Sequence, residues 1–473
     1  MENPSSSGSG RWNKAGLGME DNMLAMLDSF DSQDSVDDWI AFLDAVRASS
    51  IAFEHAKRPT SKIFGAVFHV LRMGKSLELI MASHKLLVDL EKHFPHVHLS
   101  CSDDSKPSSN YPSKLVVAEE VWSPIIVCQD NVTVVSEAGD KESGRPLDPS
   151  SFQLLVEELA GILTETQLES SNLKPLQNML LFQYLVIALE GDFLPRNASM
   201  NWNMQRESLL NMLLGSRKTN YKGLVKDCMK VICQLPQFQN ELNKYAELQK
   251  SSESQSLKYC YTALCLALPE VVKNTCVSME KLLVMIMGLD LSKKKADIEG
   301  HTTRADGTRT PVMDIILDEL AYSEDAVPLF LKIFTEPKWK LEIVVQYLWK
   351  YITKPSVRTR KTSGSSYDST FHGALRCFSN KTGTKSIIKK MGADVVQFLL
   401  AHGFQAQLSI LAEGNTYDNY VRDQEGIANA LTDLCQMFIS AFDSLRSTNQ
   451  HMEILPIGKE ALFTAASVIS MKS

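Results

Sequence analysis

The chain has 473 residues, 44% of them hydrophobic and 22% charged, with only 23 Gly and 17 Pro. That length exceeds what one compact core usually holds, so two or three domains or an extended helical array are expected, with ample apolar content for a sizeable core. A polar start from Met1 to Gly18 argues against a signal peptide, and apolar runs such as Leu282 to Met287 are too short to span a bilayer, which argues against a membrane protein.

The net charge of −7 is unevenly spread. Residues 1–200 carry 16 Lys/Arg against 28 Asp/Glu, a balance of −12, whereas residues 281–400 carry 19 against 13, a balance of +6. A basic region inside an acidic protein is informative about partners. The nine cysteines are odd in number and form no C-x-x-C pair, so they read as reduced core residues of an intracellular protein.

Residues 1–33, polar at the start, read as a disordered tail. From 34 to 99 the pattern is helical. A helix is expected from about Ser35 to Lys57, with Asp37 and Asp38 at the positive end of its dipole. Ile63, Ala66, Val67, Val70 and Leu71 then repeat as one helical face, and another helix follows through Leu90. Residues 100–149 lose periodicity, except around Leu115 to Trp122 and Ile125 to Val135. They read as a loop-rich insertion with a little strand.

Helical order returns at 150 and lasts to 473. Ser150 with Gln153 reads as a capping box. Further helices are expected at about 172–190, 203–215, 217–234, 238–250, 256–268 and 270–289. The polar stretch Ser292 to Thr310 reads as a loop, after which Thr310 caps a helix with Pro311 at its first position. Helices at about 311–321, 325–335 and 338–351 follow, then a basic and Ser/Gly-rich loop from Thr353 to Thr370. Three or four more helices complete the chain, the clearest over Gln424 to Leu445. Successive helices joined by short turns predict an all-α fold of armadillo/HEAT-like stacked helices with degenerate repeats, 150–473 forming one solenoid-like domain.

Motifs of chemistry are scarce. His93, His96 and His98 lack the second ligand pair of a metal site, and Pro95 forbids helical i, i+4 ligation, so they read as a helix end. Thr382 to Ser386 lacks the glycines of a phosphate-binding loop. Signatures of a nucleophile elbow, a dinucleotide site and a zinc protease are absent. No cofactor, metal or catalytic residue is therefore assigned. The basic clusters carry more weight. Lys293, Lys294, Lys295, Arg304 and Arg309 are candidates for contact with an acidic partner or a phosphate backbone. Lys354, Arg358, Arg360 and Lys361 are candidates for nuclear import. The bland alternative is that Asp297, Glu299 and Asp306 neutralise the first group within a structural connection.

A resemblance becomes specific over Leu282 to Met287, Asp290, Ser292 to Asp297, Glu299-Gly300, Arg304, Asp306-Gly307, Arg309 to Pro311 and Ile315 to Leu320. Pro337 to Val344, Lys354-Pro355, Val357 to Arg360, Ile454 to Pro456, Gly458 to Glu460 and Leu462 to Ala465 continue it, and Arg72, Gly74-Lys75, Leu77 to Ile80 and Pro195 to Asn197 support it upstream. These resemble the plant family of negative regulators of systemic acquired resistance. The resemblance implies a nuclear, armadillo-like scaffold that represses pathogenesis-related genes. It also implies a non-catalytic subunit of the Structural Maintenance of Chromosomes 5/6 complex, acting in DNA repair and recombination. Partners would be subunits of that complex and transcription regulators. DNA would be touched at most indirectly, with no membrane and no small-molecule substrate. A cytosolic peptide-binding adaptor is the alternative, and localisation separates the two.

Overall fold

The computed structural model describes residues 36–52, 58–100, 114–118, 122–126, 145–162, 173–199, 201–249, 255–323, 325–352, 370–417, 424–449 and 451–471. Helices dominate throughout, and the chain divides into two compact units, residues 1–309 and 310–473. The boundary falls inside the span 150–473 that the sequence reads as one helical domain.

In the first unit, α1 (Val36–Ser50), α2 (Ser61–Met73) and α3 (Leu77–His93) stack their apolar stripes. Phe42, Val46, Val67, Phe68, Leu86 and Leu87 are fully buried there. Ser76 starts α3 by accepting the Leu79 amide at 3.2 Å, satisfying a donor the helix itself cannot reach. His93 closes the helix with Nδ1 2.8 Å from the Asp89 carbonyl. A short antiparallel pair follows, β1 (Val97–Ser100) with β2 (Lys114–Val117), in register Val97 to Val117. A parallel bridge joins Ile125 to Leu147. Trp122 stacks on Phe64 with ring centroids 5.7 Å apart. It helps enclose a small cavity lined by Arg58, Glu91, His96 and Leu209. Burial in this setting pushes the Glu91 carboxyl up to about 7, against the pull of Arg58 and with a further push from Asp192.

The helix α4 (Pro149–Ile162) is capped two positions earlier than the expected Ser150 box. Asp148 accepts from the Ser151 amide at 3.0 Å and the Ser151 hydroxyl at 2.6 Å. The next helix, α5 (Lys174–Ala198), is buried on nearly every side between Leu176 and Phe193. Two of its interior amides are matched: Gln177 donates to the Leu71 carbonyl and Gln183 to the Val271 carbonyl and Thr275 hydroxyl. Two short helices, α6 (Trp202–Arg206) and α7 (Leu209–Gly215), lead into α8 (Tyr221–Gln249) and α9 (Gln255–Glu299).

Here the sequence reading needs three corrections. The pieces expected at 217–234 and 238–250 are one helix, and Pro236 does not end it. The pieces expected at 256–268 and 270–289 are likewise one 45-residue helix running through Pro269. That helix continues over Ser292–Glu299, so the expected loop of 292–310 begins only at Gly300. A proline removes one backbone donor and crowds the preceding turn; beside Pro269, burial of Leu268, Val271 and Val272 helps offset that cost. Leu282, Leu283, Met285, Ile286, Met287 and Leu289 are all buried, which leaves no polar face to mark the helix as amphipathic.

The contacts fix how α5 and α9 run. Gln183 reaches Val271, Glu190 pairs with Lys281 at 2.8 Å, Phe193 lies against Gly288, and Asn197 bonds Ser292. Both sets of numbers rise together, so the two helices are parallel neighbours.

The second unit holds α10 (Val312–Tyr322), α11 (Ala326–Ile333), α12 (Pro337–Ile352), α13 (Phe371–Arg376), α14 (Lys381–Met391), α15 (Ala393–Tyr417), α16 (Gln424–Thr448) and α17 (Pro456–Ser470). The expected proline start of α10 holds with a shift of one: Pro311 takes the cap position and Val312 begins the helix. Among the described residues five helices, not three or four, follow residue 370. Phe404 stacks on Phe438 at 4.2 Å, and Phe438 meets Phe442 at 4.9 Å. Buried Gln397 ties in the last helix, donating to the Glu453 carbonyl and accepting from the Leu455 amide.

The reading of apolar runs also needs correction. Over Ala393–Ala412, α15 is long and apolar enough to cross a membrane by length and composition, with mean hydropathy 1.3. Half of that window is buried inside the unit, including Val396, Leu399, Leu400, Ala401 and Phe404. The buried Gln397 and His402 interrupt the run, which is how a short-run scan passes over it. Burial, with Lys340 nearby, pushes the His402 imidazole down to about 4, so it is carried in its neutral form.

Candidate interaction site

The cations Lys293, Lys294, Lys295, Arg304 and Arg309 lie at the C-terminal end of α9 and the turn after it. Gly300, at φ +74°, stops the helix. The His301 amide bonds back to the Ala296 carbonyl at 2.8 Å and the Gly300 amide to the Asp297 carbonyl at 3.3 Å, closing carbonyls that the helix leaves open. A residue with a side chain pays for this left-handed backbone, and glycine does not.

The turn that follows is organised by Asp306, whose side chain is 2% exposed. It accepts from the Thr303 amide at 2.6 Å and takes a two-pronged contact from Arg206, at 2.6 Å and 2.8 Å. Burial alone would raise the Asp306 carboxyl. The bonds from Thr303 and Arg206 outweigh it and hold the group below the usual carboxylate range. Lys293 folds back and donates to the carbonyls of Asp306 and Gly307. Arg309 pairs with Asp290 at 2.9 Å and lies over the Tyr221 ring, 5.0 Å from its centroid. Burial, with Asp290 beside it, raises the Tyr221 phenol, so it stays protonated.

A second set of bonds places Arg206. On α5, Arg196 pairs with buried Asp192 at 2.9 Å and donates to the Met204 carbonyl at 3.1 Å. The other Asp192 oxygen accepts the Leu209 amide at 2.7 Å. Asn197 Oδ1 accepts from Gln205 and from Ser292, both at 3.1 Å, so one amide joins α6 to α9. That engagement also gives the Asn197-Ala198-Ser199 sequon an internal role.

The structure therefore splits the sequence-predicted cluster. Lys293 and Arg309 are internal fasteners, but through the Asp306 and Gly307 carbonyls and the Asp290 carboxylate rather than the carboxylates the bland alternative named. Of those, Asp306 pairs with Arg206, outside the group, Asp297 is bonded by Thr302, and Glu299 lies near Lys295 at 4.0 Å and His301 at 3.3 Å. Lys294, Lys295 and Arg304 are exposed. Among the described residues Lys294 and Arg304 have no ion-pair partner. The import candidates Lys354, Arg358, Arg360 and Lys361 lie outside the described residues. Arg206, Tyr221 and Asp192 were missed by sequence reasoning: Arg206 and Tyr221 act through Asp306 and Arg309, distant in sequence, and the one local signal was the i, i+4 spacing of Asp192 and Arg196.

Fold and site together define a predominantly helical protein whose charged motif residues lock a long buried helix to its neighbours. Family models described as the SNI1 middle domain and the SNI1 C-terminal domain match residues 96–336 and 352–473. A relative from Arabidopsis thaliana, named "Negative regulator of systemic acquired resistance SNI1", is 42% identical over 467 residues, covering 97% of this chain and 96% of its own length. The chain belongs to the SNI1 family. No solved structure matches it. The relative's name describes a regulator, and the family models name no catalytic activity.

Proposed function

We propose that this chain is a non-catalytic nuclear scaffold subunit that represses plant defence genes and acts in DNA repair and recombination within the Structural Maintenance of Chromosomes 5/6 complex. The observation that carries the repressor part is the 42% identity, over nearly the whole chain, to a protein named as a negative regulator of systemic acquired resistance. The complex membership rests on the sequence resemblance centred on residues 280–360. The local chemistry supports a non-catalytic role, because Asp290, Asp306 and Arg309 of that motif are engaged in internal ion pairs rather than arranged around a reacting group.

Its partners are protein subunits of that complex and transcription regulators, with DNA held indirectly. Nuclear entry uses Lys354, Arg358, Arg360 and Lys361. The test is affinity purification of the tagged full chain from plant nuclei with identification of bound subunits. Recovery of the complex subunits is expected. A chain found only in the cytosol, bound to short peptides, would replace this reading with that of an adaptor.

A further inference from the structure

We propose that the last two turns of α9 present Leu291, Lys294, Lys295 and Ile298 as a docking stripe for an acidic amphipathic helix of a partner protein. The inference rests on the scaffold reading and gives its surface a chemistry. The four positions follow i, i+3, i+4, i+7, which places them on one helical face. Leu291 is 48% exposed and Ile298 79% exposed, whereas Ala296, on the opposite face, is buried. Met287 lies one turn before Leu291 on the same face and is 2% exposed. The cover over this face therefore ends between Met287 and Leu291, and the helix emerges with two large apolar groups bracketing two cations.

Lys293 and Arg309 are committed to the turn and to Asp290, so they take no part. Lys294 has no ion pair among the described residues. Lys295 has only a loose contact with Glu299 at 4.0 Å and keeps 59% of its side chain exposed. Such a surface pair is worth little and exchanges readily for a better-placed carboxylate.

The chemistry favours a protein helix over a phosphate backbone. A phosphate backbone offers little apolar surface to cover Leu291 and Ile298, and Asp297 and Glu299 flank the stripe on either side, where they repel an extended polyanion. An acidic helix supplies both needs. Its apolar ridge covers Leu291 and Ile298, and carboxylates three or four positions apart align with Lys294 and Lys295.

The test uses the full-length chain carrying a photo-reactive amino acid at Ile298, expressed in plant nuclei and cross-linked in place. A second chain carrying it at exposed Glu78 on α3 gives the background. Mass spectrometry should place the cross-links on partner segments with acidic residues spaced for a helix. Adding Lys294→Glu and Lys295→Glu should cut their yield about tenfold, with the melting temperature unchanged. Lys294→Ala with Lys295→Ala should cut it less. Cross-links to DNA, cross-links to segments without acidic residues, a yield no higher than at Glu78, or an undiminished yield after charge reversal would each overturn the proposal. Recovery of the complex subunits by the unlabelled parent chain is read separately, so loss of the scaffold reading is distinguishable from loss of the stripe.

Discussion

Glu91 gives the sharpest physical test of the first unit. Its carboxyl is mostly buried beside Arg58, and burial moves it from an ordinary 4.5 to about 7. A carboxyl with a raised folded-state value favours the neutral form in the folded chain. Folding is therefore undisturbed below 4.5, and stability is lost as pH rises from 4.5 through about 7. The interval 7 − 4.5 spans 2.5 tenfold steps in proton affinity. At about 1.4 kcal/mol per step the loss above pH 7 is roughly 3 kcal/mol, an upper figure because the group is not wholly dry. Glu91→Gln keeps the shape and removes the ionisation. At pH 8 it should stabilise the protein by roughly 2–3 kcal/mol, and at pH 5 by under about 1 kcal/mol. The assay is urea unfolding at pH 5, 6.5 and 8, followed by tryptophan fluorescence, to which Trp39, Trp122 and Trp202 contribute from the first unit. Equal gains at all three pH values would refute the reasoning. So would a loss of stability at pH 8, which would mean that Arg58 holds the carboxylate charged.

Three further outcomes are expected. Arg206→Met removes both prongs on buried Asp306 and should cost about 2 kcal/mol in urea unfolding at pH 7; because Asp306 is held below the usual carboxylate range, the gap should close as the pH falls through that range. Gly403→Ala should destabilise the second unit by about 1–3 kcal/mol by thermal unfolding, since an added Cβ would sit 2.9 Å from Phe371 Cζ and 3.0 Å from Val344. Replacing Arg358, Arg360 and Lys361 together with Ala should lower nuclear accumulation of a tagged chain by microscopy, and an equally nuclear variant would remove this cluster as the import signal.

The helical class was legible because apolar residues recur at helical spacing on half-exposed helices such as α2 and α12. The long helices were misread for the opposite reason. Between Leu282 and Leu289 nearly every side chain is buried, so periodicity vanishes, and Pro236 and Pro269 then look like ends. The Ser292 start of a loop was inferred from a run of lysines that in fact continues α9. Gly300 was the true stop signal. At the candidate site, the cations were visible but their partners were not: Asp306 with Arg206 and Arg309 with Asp290 are tertiary pairs. The sequence alone could not tell the fasteners Lys293 and Arg309 from the exposed Lys294, Lys295 and Arg304.

The parallel course of α5 and α9 has an electrostatic consequence. Antiparallel neighbours cancel one another's dipoles; parallel ones add them. Each C-terminal end carries the equivalent of about half a negative charge, and the end of α5 comes against Ser292, short of the end of α9 at Glu299. Arg196 sits in the last turn of α5, whereas the last turn of α9 holds no cation and carries Asp297 and Glu299. Arg196 is thus in part a counterweight that lets α5 end beside a helix pointing the same way.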